Sequence, residues 1–260
     1  MRIARFTTGD DPRFAVVEGE PDGPQQLAVI TGDPLYMPVQ FTGERVPLDD
    51  ARLLAPVIPR SKVIGVGRNY AAHAAELGNE VPEEPLCFLK PNTSVIGPGD
   101  PIQLPEQSQN VHFEGELAVV IGRICRDVPK ERVAEVVLGY TIANDVTARD
   151  LQQKDKQWWR AKGFDTFCPL GPYLVTDLDP ADLHLVTRRD GEVVQDGRTS
   201  QMIFDIPTLV AHISGAMTLL PGDVILTGTP EGVGPITDGQ RVDIEIEGIG
   251  TLSNPVRRRR

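Results

Sequence analysis

Four shortages bound what this chain of 260 residues can be. Cysteine is scarce: Cys87, Cys125 and Cys168 are an odd number with no CxxC spacing. That pattern argues against a disulfide framework and against a structural zinc site, and it suits a reducing compartment. Long apolar runs are missing, since no stretch approaches the roughly 18–20 residues of a membrane helix. The opening MRIARFTTGD lacks the apolar core of a signal peptide, so the expectation is a cytoplasmic protein that engages no membrane. Positive charge is in deficit: 26 Lys and Arg face 37 Asp and Glu, a net charge of −11. Such a balance argues against nucleic acid as the main partner. The one basic run, Arg257 to Arg260, contains no aromatic residue and reads as a solvated tail. A dinucleotide fingerprint is also missing: GVGRNY has no third glycine, and no acidic residue ends a second strand about twenty residues on.

What is present is an ordinary globular composition, 40% hydrophobic and 24% charged, in a chain long enough to bury a sizeable core. Residues 1–58 contain short strand-like pieces (RFAVVEG, QQLAVI) and read as a small β-rich N-terminal domain. LLAPVIPRSK, with two prolines, reads as a linker, and residues 59–260 form the main domain. There, KVIGVG, GYTIANDV, GPYLVT, LHLVTRRDGEVV, DVILTG and QRVDIEIEG read as strands. Helices are expected in NYAAHAAEL, where Gly78 is placed to stop the helix, near PKERVAEVVL with Pro129 at its start, in TARDLQQKDK and in IPTLVAHISGAMTLL. Strands outnumber helices, so the fold class is β-rich α+β, a sheet or roll with a few peripheral helices.

VHFEGELAVVIG raises a chemical question. Read as one strand, it sets His112, Glu114 and Glu116 on the same face. Two ionised carboxylates about 5 Å apart repel by roughly 3 kcal/mol at an effective dielectric near 20. A solvated face tolerates this; a buried one needs a shared proton or a cation. A third carboxylate, Asp145, ends the apolar strand of TIANDVTARD, either as a cap for the following helix or as a further ligand. Three oxygen donors without cysteine or a histidine pair favour a hard cation, Mg²⁺ or Mn²⁺. Lys162, in WWRAKGFD, sits among bulky and small apolar residues. His73 and Glu76 stand three apart on one face of an expected helix, where the carboxylate can orient the imidazole. His112, His184 and His212 read as structural.

Taken in order, VGRNYAAH, FLKPNTSVIGPGDPI, FEGELAVVIG, NDVTARDLQ, RAKGFDTFCPLGP and LLPGDVILTGTPEGVG resemble the fumarylacetoacetate hydrolase family over about residues 60–256. The likeness is nearest to short prokaryotic members: acylpyruvate hydrolases, oxaloacetate decarboxylases and 2-hydroxyhepta-2,4-diene-1,7-dioate isomerases. The resemblance implies a mixed β-sandwich roll, a homodimer, and Mg²⁺ or Mn²⁺ held by Glu114, Glu116 and Asp145. It further implies Lys162 in the active site, Arg149, Gln152 and Thr229 against the substrate, and His73 with Glu76 as a catalytic pair. The expected reaction is metal-dependent C–C cleavage of a small 2-oxo or 2,4-dioxo acid, by acylpyruvate hydrolysis or oxaloacetate decarboxylation. The alternatives are the dienedioate isomerase activity and a catalytically silent relative that only binds metal or a small acid. The short N-terminal region argues against the long eukaryotic-type hydrolase of fumarylacetoacetate itself.

Overall fold

The computed structural model describes residues 1–20, 23–76 and 78–258. Among these, strands outnumber helices and assemble into three sheets, of 12, five and three strands. The β-rich α+β class is as expected.

The largest sheet is centred on Gly115–Ile121, antiparallel to Val137–Asn144. Gly115–Ile121 is buried at every position, which explains its nearly unbroken apolar run: a strand covered on both faces has no reason to alternate. Its side chains divide with the period of two that a strand imposes. Leu117, Val119 and Ile121 enter one core with Ile142, Leu185 and Ile244, while Ala118 and Val120 enter another with Val224 and Leu226. Burying each branched residue contributes roughly 1.5–3 kcal/mol before entropy is subtracted. On one side of this pair the sheet continues through Cys168–Val175 to Arg2–Thr7 and the other N-terminal strands. Ile3 pairs with Leu174, and Ala55 and Val57, in the stretch that reads as a linker, are buried. On the other side lie Val224–Leu226, Val63–Gly67 and Leu86–Lys90.

The five-stranded sheet contains the hairpin His184–Arg189 and Glu192–Arg198. It turns at Asp190 and Gly191, both left-handed, the pair a tight two-residue turn demands. This sheet presses on the first at Gly115, where a Cβ would lie 2.4 Å from Thr187 Oγ1. Only glycine allows that approach.

The structure differs locally from the sequence reading. VHFEGELAVVIG is two strands, Val111–Phe113 in the three-stranded sheet and Gly115–Ile121 in the large one, with the chain leaving the ladder at Glu114. The break arises because side chains replace the ladder: Glu114 N–H donates to Asn144 Oδ1 at 3.0 Å and Gly115 N–H to Gln195 Oε1 at 3.0 Å. After Pro129 the chain forms a 3₁₀ helix, Lys130–Glu135, and turns directly into strand Val137–Asn144. Helices span Ala71–Glu76, Arg149–Asp155 and Ile206–Ala216. Gly78 has the left-handed φ of +67° that ends the first of them; Leu77 lies outside the described residues.

Candidate metal centre and active site

The site is assembled by strand register. Gly115 pairs with Asn144 and Glu116 with Ala143, so Glu114 and Asp145 leave the same end of the sheet together; Asp145 N–H donates to Glu114 O at 2.9 Å. Ala118 pairs with Leu226, which carries Thr227, Gly228 and Thr229 past Glu116. Val63–Gly67 runs parallel to Val224–Leu226 and delivers Arg68 and Asn69 beside Gly228. A Cβ on Gly228, whose φ is +101°, would stand 2.7 Å from Asn69 Cβ, so this crossing also requires glycine.

Glu114, Glu116 and Asp145 are buried, and each offers an oxygen within 4.8 Å of the others. Three cations brace them. Lys162 Nζ donates to Glu114 Oε2 at 2.9 Å, Asp145 Oδ2 at 2.6 Å and Thr147 Oγ1 at 2.7 Å. Arg149 Nη2 donates to Glu114 Oε1 at 2.5 Å. Lys90 Nζ donates to Asp145 Oδ1 at 2.5 Å. Among the described residues no cation is bonded to Glu116; its partner is Gly228 N–H at 2.6 Å.

These contacts split the carboxylates. Burial alone would raise the pKa of Glu114, but Lys162 and Arg149 overcome it and hold the group well below the usual carboxylate range. Burial, then Asp145 and Glu114, push Glu116 well above that range. For Lys162, burial works toward a lower value, yet Asp145 and Glu114 outweigh it and raise the pKa. Lys162 is therefore a buried ammonium, suited to hold negative charge and unsuited to attack a carbonyl as a neutral amine. The all-oxygen donor set, with one carboxylate whose pKa is raised by burial and by its two acidic neighbours, fits a hard divalent cation.

These groups open onto a cavity of about 230 Å³, below the roughly 300–1,000 Å³ of drug-sized sites and suited to a small molecule. His73, Gln152, Arg68, Trp158 and Thr229 line it too. His73 is buried, with Nδ1 3.3 Å from Glu76 Oε2. Glu76 stands behind the imidazole and accepts from Gly232 N–H at 3.1 and 3.2 Å. Gln152 Oε1 accepts from Arg149 Nη1 at 3.1 Å, fixing the guanidinium from the same helix. Thr229 reaches the cavity, but its hydroxyl donates to Gly115 O and accepts from Gln195 Nε2, each at 2.8 Å. His112 is half-buried beside Arg149, and burial with that charge lowers its pKa to about 4. His184 is exposed and paired with Asp196 at 2.7 Å, and His212 is exposed.

Sequence reasoning passed over Lys90, Asn69, Arg68 and Gln195. Lys90 closes the apolar CFLK run, where an interior lysine demands a buried acid, but its partner Asp145 is 55 positions away. Asn69 is fully buried and bonds Phe204 N–H, Phe204 O and Thr227 O; an asparagine after a strand reads equally well as a turn residue.

The buried carboxylate triad, an ammonium, a guanidinium and a histidine–glutamate pair thus meet at one small cavity, and the oxygen donors of the triad suit a divalent cation. The chain belongs to the fumarylacetoacetate hydrolase family: the family described as Fumarylacetoacetate (FAA) hydrolase C-terminal matches residues 62–257. A second, Rv2993c-like, N-terminal, matches residues 1–56. Protein Rv2993c of Mycobacterium tuberculosis is 57% identical over 264 residues, covering 100% of this chain and 99% of its own. Two eukaryotic relatives are 47% identical. Oxaloacetate tautomerase fahd2, mitochondrial, of Xenopus laevis covers 78% of this chain and 68% of its own; oxaloacetate decarboxylase, mitochondrial, of Dictyostelium discoideum covers 73% and 90%. The crystal structure of 5-carboxymethyl-2-hydroxymuconate delta-isomerase from Mycobacterium smegmatis superposes with a TM-score of 0.92 at 58% identity over the whole of both chains. Maleylpyruvate hydrolase from Sphingobium sp. SYK-6, in complex with manganese(II) and pyruvate, gives 0.82 at 35%, again over both chains. No helix among the described residues is long and apolar enough to cross a membrane.

Proposed function

We propose that the protein cleaves a C–C bond of a small 2-oxo or 2,4-dioxo acid, by acylpyruvate hydrolysis or oxaloacetate decarboxylation, with Mg²⁺ or Mn²⁺ at Glu114, Glu116 and Asp145. The observation that carries this reading is the meeting of His73 with the carboxylate triad, Arg149 and Lys162 on one cavity. Two of the three buried carboxylates, Glu114 and Asp145, are paired with Lys90, Arg149 and Lys162, so their charge does not stand bare against an anionic substrate. A bound divalent cation supplies Lewis-acid stabilisation of the enolate charge that appears as the bond breaks.

The chain's own groups do the rest. Arg149, steadied by Gln152, and Lys162 bind the substrate carboxylate and stabilise charge developing beside it. His73 Nε2 takes a proton from water, which adds to the distal carbonyl of an acylpyruvate, while Glu76 fixes Nδ1–H and stabilises the imidazolium. The C3–C4 bond then breaks, a carboxylic acid leaves, and a proton delivered to C3 gives pyruvate. Oxaloacetate needs no activated water: it loses CO₂, and C3 of the resulting enolate takes a proton from solvent.

A second reading, movement of a proton along a conjugated or enolic 2-oxo acid without bond cleavage, is favoured by the names of the M. smegmatis and X. laevis relatives. Incubation with oxaloacetate, acetylpyruvate and 2-hydroxyhepta-2,4-diene-1,7-dioate under Mg²⁺ or Mn²⁺, followed by ¹H NMR, separates the two. Pyruvate formed from oxaloacetate or acetylpyruvate faster than in the metal-only blank is the expected result. Rapid isomer exchange with no excess pyruvate would establish the second reading instead.

A further inference from the structure

Of the cations that line the cavity, Arg149 and Lys162 are bonded to carboxylates. Arg68 is different: it is half-buried, and no hydrogen bond or ion pair joins it to any described residue. Its backbone adds a second observation. Arg68 has φ +58°, in the left-handed region that glycine adopts freely and an arginine adopts at a cost. The conformation is imposed from both sides. Gly67 ends a strand, and Asn69 is tied to Phe204 and Thr227. Glycine would meet this demand more easily, yet a guanidinium stands there, and strain retained at a cavity wall points to a role for the side chain.

Its position supplies the third observation. Arg68 lines both the cavity and an adjoining open groove bounded by Leu86, Phe88 and Lys156; Gln152 and Trp158 line both as well. The triad lies on the cavity side alone. A substrate whose first carboxylate is held by Arg149 and Lys162 therefore has Arg68 at the exit toward the groove. We propose that Arg68 is a specificity residue that binds the distal carboxylate of a 2-oxo dicarboxylate, so that the site selects dianions over monoanions. This rests on the 2-oxo acid reading above. A guanidinium presents paired N–H donors that match a carboxylate in two-point geometry. Exposed Lys156, further along the groove, has the same sign and draws a dianion toward it.

Arg68→Gly removes the side chain while relieving the left-handed strain, so loss of folding does not confound it; Arg68→Lys keeps the charge without the fork. In the Mg²⁺-loaded protein, calorimetric titration with malate and with lactate compares two ligands that share the 2-hydroxy carboxylate and differ by the distal carboxylate. Wild type should bind malate more tightly. Arg68→Gly should lose about tenfold on malate and change on lactate by less than about twofold, with Arg68→Lys between. In turnover, KM for oxaloacetate should rise with no loss in kcat, because the grip on the carboxylate that departs as CO₂ is released as the bond breaks, and acetylpyruvate kinetics should hold. Equal losses on malate and lactate, no loss on malate, or a wild type without preference for malate would overturn the proposal. An Arg68-dependent malate preference in a protein that turns over neither oxo acid would retire the catalytic reading and keep this one. Oxaloacetate turnover indifferent to Arg68→Gly would do the reverse.

Discussion

Replacing Glu116 by glutamine should stabilise the metal-free protein, and the gain should depend on pH. Glu116 lies with Glu114 and Asp145 inside 4.8 Å. At that separation each ionised pair repels by about 3.5 kcal/mol at an effective dielectric of 20. Glu116 has Gly228 N–H as its hydrogen-bond partner, and burial, Asp145 and Glu114 raise its pKa well above the ordinary 4.5, so it holds a proton to higher pH than an exposed glutamate does. Between those two values the folded state binds more protons than the unfolded state, so this group's contribution to stability falls as pH rises. At pH 7 the penalty is at most about 3.4 kcal/mol, 1.36 kcal/mol for each pH unit above the ordinary value. Glutamine is isosteric with the protonated acid and never pays that cost. In chelator at pH 7, Glu116→Gln should gain up to about 3 kcal/mol, or roughly 6–12 °C in Tm for a chain of this size, and well under 1 kcal/mol at pH 5. Wild type should recover the difference when Mg²⁺ or Mn²⁺ is added, and the variant should gain little. Scanning calorimetry at pH 5, 6, 7 and 8, with chelator and with metal, measures all four quantities. A gain independent of pH, or a wild-type Tm indifferent to metal, would refute the reasoning.

Three further outcomes follow from named contacts. Lys162→Met strips Glu114 and Asp145 of their shared ammonium; denaturant unfolding should show a loss of about 3–5 kcal/mol, partly restored by metal, and turnover should be abolished. His73→Ala should slow acetylpyruvate hydrolysis by about 10²–10⁴ and slow oxaloacetate decarboxylation less, because only the first reaction needs an activated water; parallel rates on the two substrates decide this. Asn69→Ala leaves Phe204 N–H, Phe204 O and Thr227 O without their buried partner, a cost of about 1–3 kcal/mol readable in urea unfolding.

The chemistry of this site was more legible in the sequence than its scaffold. E-x-E and the aspartate of TIAND announced carboxylates in apolar surroundings, and the structure gathers all three. The route differs: Glu114 is not in the same strand as Glu116 but at a break, where the side chains of Asn144 and Gln195 accept from the backbone N–H groups of Glu114 and Gly115. Those partners lie 30 and 80 residues off, beyond the reach of local periodicity. Lys90 was invisible for the same reason. As the last residue of CFLK it carries a buried charge whose meaning depends wholly on Asp145. LHLVTRRDGEVV, expected as one strand, is instead a hairpin of His184–Arg189 and Glu192–Arg198; here the signal was local, the D-G pair at the turn, and the single-strand reading passed over it. Arg68 was hidden because a left-handed φ leaves no mark on a residue that is not glycine.

Titration with Mn²⁺ followed by electron paramagnetic resonance tests the central claim most directly. One Mn²⁺ should bind per chain, its spectrum should change when oxaloacetate or acetylpyruvate is added, and binding should be lost in Glu116→Ala and in Asp145→Asn. No bound Mn²⁺ in wild type, or one site per chain that survives both substitutions, would contradict the placement of a metal at Glu114, Glu116 and Asp145.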